Sequence, residues 1–274
     1  MSSLITATDI NKLRQATGAG MLDCRKALTE SNGDFEAAID WLRKQGQKVA
    51  AKRSDREAKE GVIIAQTTAD HKSGIIICVS AETDFVSRNA DFVAFAQSIA
   101  NAAIDRNTQS IEELNEVMVG NEKVSDMVND KLASIGEKIG ITRFERVNAD
   151  YVASYIHGAY RMGVLVGMNK HVYEAGKDVA MQIAAMNPLA VDESSIPAET
   201  VAREKEIAIE QIKAEGKPAE MAEKIAVGKV NKFLRENTLM AQAFVKDNSK
   251  TVADYLKTVD ADLKVTEFKR VALG

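Results

Sequence analysis

GVIIAQTTADHKSGIIICVS, residues 61–80, contains two runs rich in β-branched residues on either side of the turn-forming segment His71–Gly74. Two such runs separated by a short polar segment with a glycine predict a β-hairpin. This hairpin decides the fold class, because the patterns that follow it along the chain repeat its extended character. Those extended patterns lie at residues 141–147, 152–157, 164–168 and 265–271.

Helical patterns are grouped around these strands and do not alternate with them one by one. Residues 91–104 place Phe92 and Phe95 on one face at helical spacing. A mixed helical region is predicted for residues 110–139, and a further helix for residues 175–186. Because hairpins and helices are segregated along the chain, we predict an α+β core in two parts, with antiparallel sheets.

The first fifty residues predict a compact module of three short helices. Asp9 is expected to cap the first helix, Asp23 to start the second and Asp34 to cap the third. Two glycines in the segment Thr17–Gly20 end the first helix, since glycine adopts backbone angles that other residues avoid. Trp41 lies at helical spacing with apolar neighbours and is interpreted as part of the core of this module.

Composition predicts where the chain divides. Residues 45–60 are rich in charged residues and alanine, which predicts an exposed, partly helical connector. All three prolines fall between residues 188 and 218, and the charged helical segments 199–215 and 220–236 predict an antiparallel helical hairpin. The predicted parts are residues 1–54 (helical module), 55–149 (first half of the core), 150–187 with 237–274 (second half), and 188–236 (inserted hairpin).

The overall charge argues against several classes of partner. A net charge of −4 and a pI near 5.6 do not favour a surface for nucleic acid or anionic membranes. No apolar run approaches the length of a membrane span, and we expect no targeting leader. Cys24 and Cys78 are far apart and predict reduced thiols. We therefore expect a cytoplasmic protein that binds a protein or a small molecule.

The sequence offers no recognisable catalytic or metal-binding motif. The three histidines, His71, His157 and His171, are not spaced with acidic or sulfur residues as metal ligands are. The motifs of serine hydrolases, zinc proteases and phosphate-binding loops do not occur. These absences leave an enzyme open but do not favour one, and we expect no cofactor and no metal.

Two stretches carry a family resemblance: TGAGMLDCRKAL at residues 17–28 and ETDFV at residues 82–86. In this order they resemble the elongation factor Ts family, and the resemblance covers essentially the whole chain. The further matching segments are His157-Gly158, Arg161–Val166, Lys217-Pro218, Phe244-Val245 and Ser249–Val252.

The resemblance implies a fold and a function. The fold is an N-terminal module similar to ubiquitin-associated domains, a two-part α+β core and a helical hairpin that in this family forms homodimers. The function is guanine-nucleotide exchange: the family binds elongation factor Tu with GDP and promotes GDP release, and the complex persists until GTP binds. Long members also carry a C-terminal helical module, and because this sequence ends at Arg270–Gly274 we expect no contact from it.

The resemblance also implies which residues contact elongation factor Tu. The segment Thr83, Asp84, Phe85 and Val86 matches the residues that disturb the magnesium end of its nucleotide site. In the helical module, Met21, Leu22 and Arg25 match the surface that grips the GTPase domain. Lys246 stands where the best-known members carry Met, so the chain departs from the family at this contact. The other matched contact positions are Ile135, Gly136, His157, Phe244 and Val245.

Each of these residues also has an ordinary structural interpretation. Phe85 could pack inward, Asp84 could cap a helix, and one of Met21 and Leu22 could belong to the core of the module. His157 could be a satisfied structural histidine. Two other functions stay open: an adaptor that binds chains or peptides through its first module, and an enzyme that uses the cleft between the halves of the core.

Overall fold

The computed structural model describes residues 5–53, 55–216 and 218–274, with all their side chains except those at 47, 49–52, 219 and 220. Ser54 at the first predicted boundary and Lys217 in the predicted hairpin turn lie outside the described residues. The described chain contains helices and antiparallel sheets in separate groups, which confirms the α+β prediction. The division into four parts stays a prediction.

Three helices open the chain: α1 (Ala7–Thr17), α2 (Met21–Glu30) and α3 (Phe35–Lys52). Thr6, not Asp9, is the N-cap of α1. The Thr6 hydroxyl accepts a hydrogen bond from the Asp9 N–H at 3.2 Å, and the Asp9 carboxylate accepts one from the Thr6 N–H at 3.0 Å. This reciprocal pair is a capping box. The prediction that Asp9 is the cap is therefore wrong by three positions.

The other two helix starts follow from backbone conformation. Helix α2 begins at Met21, two residues before Asp23, because Gly20 already takes the extended N-cap conformation. Asp34 accepts a hydrogen bond from the Ala37 N–H at 2.9 Å, which confirms its predicted role at the start of α3. Trp41 packs only against the edge of the small core of the three helices, so the prediction for this residue holds in part. The buried side chains of that core are Leu13, Ala19, Cys24, Ala27, Leu28, Ala38 and Leu42.

The first half of the core is a three-stranded antiparallel sheet covered by helices on one face. The predicted helical region 110–139 divides into a short helix, a hairpin of two strands of two residues each, and a longer helix. In chain order the elements are β1 (Glu60–Thr67), β2 (Ser73–Ala81), α4 (Asp84–Ser87), α5 (Ala90–Asp105), α6 (Ile111–Asn115), β3 (Met118–Val119), β4 (Glu122–Lys123), α7 (Val124–Ile135) and β5 (Gly140–Asn148).

The second half repeats this plan with a second three-stranded antiparallel sheet. Two helices cover the outer face of that sheet, and a long helical pair is inserted between them. In chain order the elements are β6 (Tyr151–His157), β7 (Met162–Met168), α8 (Tyr173–Met186), α9 (Ala198–Ala214), α10 (Ala219–Asn237), β8 (Ala243–Phe244), β9 (Asp247–Thr251), α11 (Val252–Val259) and β10 (Val265–Ala272).

The two sheets, with strand orders β1-β2-β5 and β10-β7-β6, pack face to face. On β1, Ile64 points to the helices α5 and α7, whereas Ile63 points to Leu165 of the second sheet. Successive residues of a strand point to opposite faces, so a strand buried on both faces has a continuous apolar run. At Gly163 a Cβ would lie 2.8 Å from Ile63 Cγ2, which shows how closely the sheets approach.

Helices α9 and α10 leave the core and return to it at one point. The Leu189 N–H donates to the Asn237 carbonyl at 2.8 Å, and the Leu239 N–H donates to the Ala190 carbonyl at 2.9 Å. A small cluster that includes Ile212 and Ala226 joins the two helices along their length. The pair is an antiparallel arm inserted between α8 and β8.

Candidate partner-binding surface

The chain turns sharply where β2 ends, and this turn forms what we call the Phe85 corner (residues 82–87). Helix α4 is a single turn, with Thr83 extended before it. Phe85 is 85% exposed, while Val86 packs against the core of the first half. Asp84 lies in the first turn and pairs with Arg88 at 3.1 Å, so it is not the N-cap. The structure therefore excludes an inward-packed Phe85.

The segment after α7 holds the Phe85 corner in place. The Glu137 carboxylate accepts two hydrogen bonds from Thr83, one from the N–H at 3.1 Å and one from the hydroxyl at 2.8 Å. Hydrogen bonds to a charged acceptor are stronger than those between neutral groups. The start of α4 is thus fixed to a segment 54 positions further along the chain.

Glu82, at the start of the Phe85 corner, in turn binds the segment after α7. Its carboxylate accepts a hydrogen bond from the Lys138 N–H at 2.6 Å and pairs with Arg53 at 2.7 Å and Arg56 at 3.1 Å. These partners favour the charged form, above all the Lys138 N–H, and they lower the pKa of Glu82 from its ordinary value of 4.5 to about 2. The side chain is only 12% exposed, so the carboxylate is held between the two segments.

Sequence reasoning missed the roles of Glu82 and Glu137. Glu82 directly precedes Thr83, and Glu137 directly follows Gly136, so each is adjacent to a predicted contact residue. This adjacency is the only signal in the sequence that could indicate their roles. Neither side chain has to reach a partner protein in order to matter, because each holds the backbone that presents its neighbours.

Ile135 and Gly136 end helix α7 beside this connection. Gly136 has a φ of 78°, in the left-handed region that glycine adopts without strain, and its N–H donates to the Leu132 carbonyl at 2.7 Å. Ile135 is exposed at the last position of the helix. Since Glu137 binds Thr83, Ile135 and Phe85 lie on one edge of the core.

The three-helix module adds a second group of apolar side chains to this edge. Leu22 is 82% exposed and Met21 is also exposed, so neither belongs to the core of the module. Arg25 is exposed one turn further along α2. A Cβ at Gly18, in the turn before α2, would lie 3.8 Å from Ser134 Cβ. The turn that leads into Met21 and Leu22 is therefore close to the end of α7.

His157 ends β6 at the same end of the sheets. Its Nδ1 lies 2.9 Å from the Tyr155 hydroxyl, and the side chain is exposed. The turn that follows is fixed to β1 by Arg161, which pairs with Glu60 at 2.8 Å. Glu60 is opposite Ala81, the residue before Glu82. His157 thus faces solvent at the end of the molecule that carries the Phe85 corner.

Phe244 does not belong to any exposed surface. It is 3% exposed, and its ring stacks on Tyr255 with 4.2 Å between centroids. Val245 is exposed instead, and its N–H donates to the buried Gln182 at 2.8 Å. Lys246 pairs with Asp178 at 2.5 Å. Of the predicted pair, only Val245 can touch another protein without rearrangement of the core.

The described residues contain no group of three or more His, Cys, Asp or Glu side chains that could hold a metal ion. None of the helices in the described part of the chain combines the length and the apolar character that a bilayer crossing requires. A cleft of about 210 Å³ lies between the three-helix module and α7, where Trp41, Arg43 and Ala133 are among its lining residues.

Comparison with known proteins agrees with this picture. The family model described as Elongation factor TS matches residues 82–274. A protein of Christiangramia forsetii named elongation factor Ts is 49% identical over 273 residues, 98% of this chain and 99% of the relative. The protein of that name from Flavobacterium psychrophilum is 48% identical, with the same coverage. That of Methylococcus capsulatus is 45% identical over 274 residues, 98% of this chain and 92% of the relative.

The family model covers the chain from Glu82 onward, including the inserted arm, and the full-length relatives also cover the three-helix module and the first two strands. The chain therefore belongs to the elongation factor Ts family and is a translation elongation factor.

Proposed function

We propose that this chain is the guanine-nucleotide exchange factor of elongation factor Tu. It binds the GDP-bound form, disturbs the magnesium end of the nucleotide site and so promotes GDP release, and it stays bound until GTP enters. The observation that supports this most directly is Phe85, which is 85% exposed on a corner held by Glu82 and Glu137. The family resemblance assigns Thr83, Asp84, Phe85 and Val86 to the magnesium site.

The mechanism needs binding energy and no covalent step. If the factor and GDP each weaken the binding of the other, the coupling free energy is the same in both directions. A factor that binds a distorted nucleotide site tightly must therefore loosen GDP, and GTP at high concentration must release the factor. No enzyme chemistry takes part.

The size of the coupling requires several contacts. To weaken a nucleotide from nanomolar to micromolar affinity costs about 4 kcal/mol, whereas burial of one Phe side chain yields about 1.5–3 kcal/mol. Phe85 alone is not enough. The exposed apolar side chains of Met21, Leu22 and Ile135 lie along the same edge and supply further apolar area.

The rigid Phe85 corner makes this use of binding energy efficient. A side chain that is already in its bound orientation loses little conformational freedom when it binds. The hydrogen bonds from Thr83 to Glu137 and from Lys138 to Glu82 fix the backbone on both sides of Phe85 before any partner arrives. More of the contact energy is then left to distort the nucleotide site.

The test is the release of a fluorescent GDP analogue from elongation factor Tu of the same organism. The unaltered chain is compared with Phe85→Ala and with Tyr173→Ala. Tyr173 is also an exposed aromatic residue, 58% exposed, but it lies at the start of α8, at the opposite end of the second sheet. We expect catalytic acceleration of release that falls at least tenfold in Phe85→Ala and stays unchanged in Tyr173→Ala.

The other outcomes separate the alternatives. Acceleration that is equal in all three proteins would keep the function and move the mechanism to the other contacts. Binding to elongation factor Tu with no acceleration by the unaltered chain would contradict exchange and favour an adaptor. An adaptor that binds through its first module has no use for an exposed Phe85 on the core.

We also propose that the arm formed by α9 and α10 makes homodimers. Ile207, Met221 and Val227 are exposed along it, and a helical pair with unburied apolar side chains gains from a second copy. Light scattering at high concentration should give the mass of a dimer, and Met221→Glu with Val227→Glu should give that of a monomer. A monomeric mass for the unaltered chain would contradict this proposal.

A further inference from the structure

The proposed surface is divided between two parts of the chain. Leu22 lies on the three-helix module and Phe85 on the core, and the described residues between Lys52 and Glu60 form no helix or strand. Arg53 and Arg56 in this connection pair with Glu82 beside Phe85, but ion pairs of long side chains adjust to small displacements. The separation between Leu22 and Phe85 depends on how the module packs on the core, and that contact is made mainly by α3 and α7.

Helices α3 and α7 approach each other closely at a glycine. A Cβ added to Gly46 would lie 2.6 Å from Ala133 Cβ and 3.5 Å from the Asn129 carbonyl oxygen. Carbon atoms in contact prefer separations of about 3.5–4.0 Å, so any side chain at position 46 would push α3 away by about 1 Å. The absence of a side chain at Gly46 is what sets this crossing.

Helix α7 connects the crossing to both groups of contact residues. Val124 and Leu132 on α7 are buried in the core, so the helix is fixed to the first sheet. At its end Ser134 lies beside Gly18, in the turn before Met21 and Leu22. The next segment holds Thr83 through Glu137. A shift of α3 against α7 therefore moves Leu22 relative to Phe85.

The charged contacts beside the crossing are less restrictive. Arg43, one turn before Gly46, pairs with Glu122 at 2.8 Å and with Asp130 at 3.5 Å. These side chains are long and partly exposed, and such ion pairs adjust to small displacements and contribute little. The close backbone approach at Gly46 has no such freedom.

We propose that the crossing of Gly46 over Ala133 is a positioning contact for nucleotide exchange: it sets the distance between Leu22 and Phe85. The inference rests on the proposed exchange function. Neither residue touches the partner. Gly46→Ala moves Leu22 away from its binding position while the Phe85 corner stays intact, so the variant binds more weakly but still releases GDP at the full rate when saturating.

The experiment is a double-mutant cycle with two measurements. Gly46→Ala creates the clash, Ala133→Gly removes the opposing methyl group, and the double variant restores the clearance. Trp41 is the single tryptophan of the chain and lines the cleft between the module and α7. Acrylamide quenching of its fluorescence therefore reports how the module is docked, without any partner present. The second measurement is GDP release against factor concentration.

We expect Gly46→Ala to increase the quenching constant of Trp41 and to raise KM about tenfold while kcat is retained. The double variant should return both quantities toward those of the unaltered chain. Gly228→Ala is the matched control for quenching, since it makes the same change in a helix where nothing lies within 4 Å of the added Cβ. Alanine is a better helix former than glycine, so unfolding of α3 does not explain a loss.

Three results would overturn the proposal. The first is unchanged quenching and unchanged KM in Gly46→Ala. The second is a raised KM that the double variant does not restore. The third is a fall in kcat at unchanged KM. If the unaltered chain fails to release GDP, the proposed function fails and the positioning role with it, while the quenching cycle still reports whether the crossing sets the docking of the module.

Discussion

The dipeptide Phe-Val occurs twice among the residues that the family resemblance assigns to the partner, and the two copies have opposite burial. At Phe85-Val86 the aromatic ring is exposed and the valine packs inward; at Phe244-Val245 the ring is buried and the valine is exposed. In both places one side chain anchors the backbone and its neighbour is presented to solvent. The residue type does not decide which side chain is buried and which is exposed.

The difference follows from the backbone. Val86 is on a single helical turn, where successive side chains point about 100° apart, and α4 is placed so that this residue faces the core. Phe244 is the last residue of the short strand β8 and its ring fits against Tyr255, whereas Val245 lies in the turn that follows. A contact carried over by residue match therefore meets an exposed ring at Phe85 and a buried ring at Phe244.

The largest expected effect is a difference in folding stability between alanine variants of Phe244 and Phe85. Phe244→Ala should lower the free energy of unfolding by about 3–5 kcal/mol, because it leaves a cavity beside Tyr255. Phe85→Ala should change it by less than about 0.5 kcal/mol, since its ring is already in water. Denaturant unfolding followed by circular dichroism measures both. Equal losses would break the comparison and place Phe85 inside the core.

A smaller effect is expected at the residue that holds the Phe85 corner. Glu137→Ala removes the acceptor of both Thr83 hydrogen bonds. Phe85 is then no longer held in one orientation, and we expect GDP release to slow about tenfold or more, because two hydrogen bonds to a charged acceptor are lost.

Glu193→Ala, which changes an exposed carboxylate far along the chain, serves as the control and should leave the rate unchanged. Unchanged release by Glu137→Ala would mean that the Phe85 corner holds its shape without Glu137. The position of Phe85 would then depend on the packing of Val86 and on the contacts of Glu82.

The smallest expected effect is on the pH dependence of unfolding, through the carboxylate of Glu82. The pKa of Glu82 is lowered from 4.5 to about 2, so its charged form stabilises the folded state. That contribution is fully present above about pH 5 and is lost as the pH falls from 4.5 toward 2. Glu82→Gln should therefore weaken the dependence of unfolding on pH within this window. Identical acid unfolding of the two proteins would show that Lys138 and Arg53 do not stabilise the carboxylate.

The sequence predicts β1, β2 and β7 most clearly, because burial on two faces produces long apolar runs, as at Val62–Ala65 and Ile75–Val79. It did not predict the ribbon formed by Met118–Val119 and Glu122–Lys123, since strands of two residues have no periodicity to read. The start of α1 was placed at the wrong residue because Asp9 fits the N-cap and the third position of a capping box equally well.

For the candidate site, the sequence indicated the position of Phe85 but not its exposure. An exposed phenylalanine and a buried one have the same local pattern, and only the path of β2 into α4 distinguishes them. The contact of Glu137 with Thr83 joins residues 54 positions apart, and no local pattern encodes such a pair. The family resemblance also implies a contact at Phe244, but the burial of that ring leaves only Val245 of the pair exposed.

The two ends of the arm formed by α9 and α10 are hydrogen-bonded to each other, and this affects the conformational entropy of the chain. Leu189 bonds to Asn237, and Leu239 bonds to Ala190, so the chain leaves and re-enters the core within one hydrogen-bond distance. An insertion whose ends already meet leaves the path of the core unchanged, and the cost of closing a loop grows only slowly with its length. The arm can therefore be lengthened or shortened while the two sheets keep their register. A tight turn cannot replace it, because the segments at Ala190 and Thr238 run parallel and need a crossover connection.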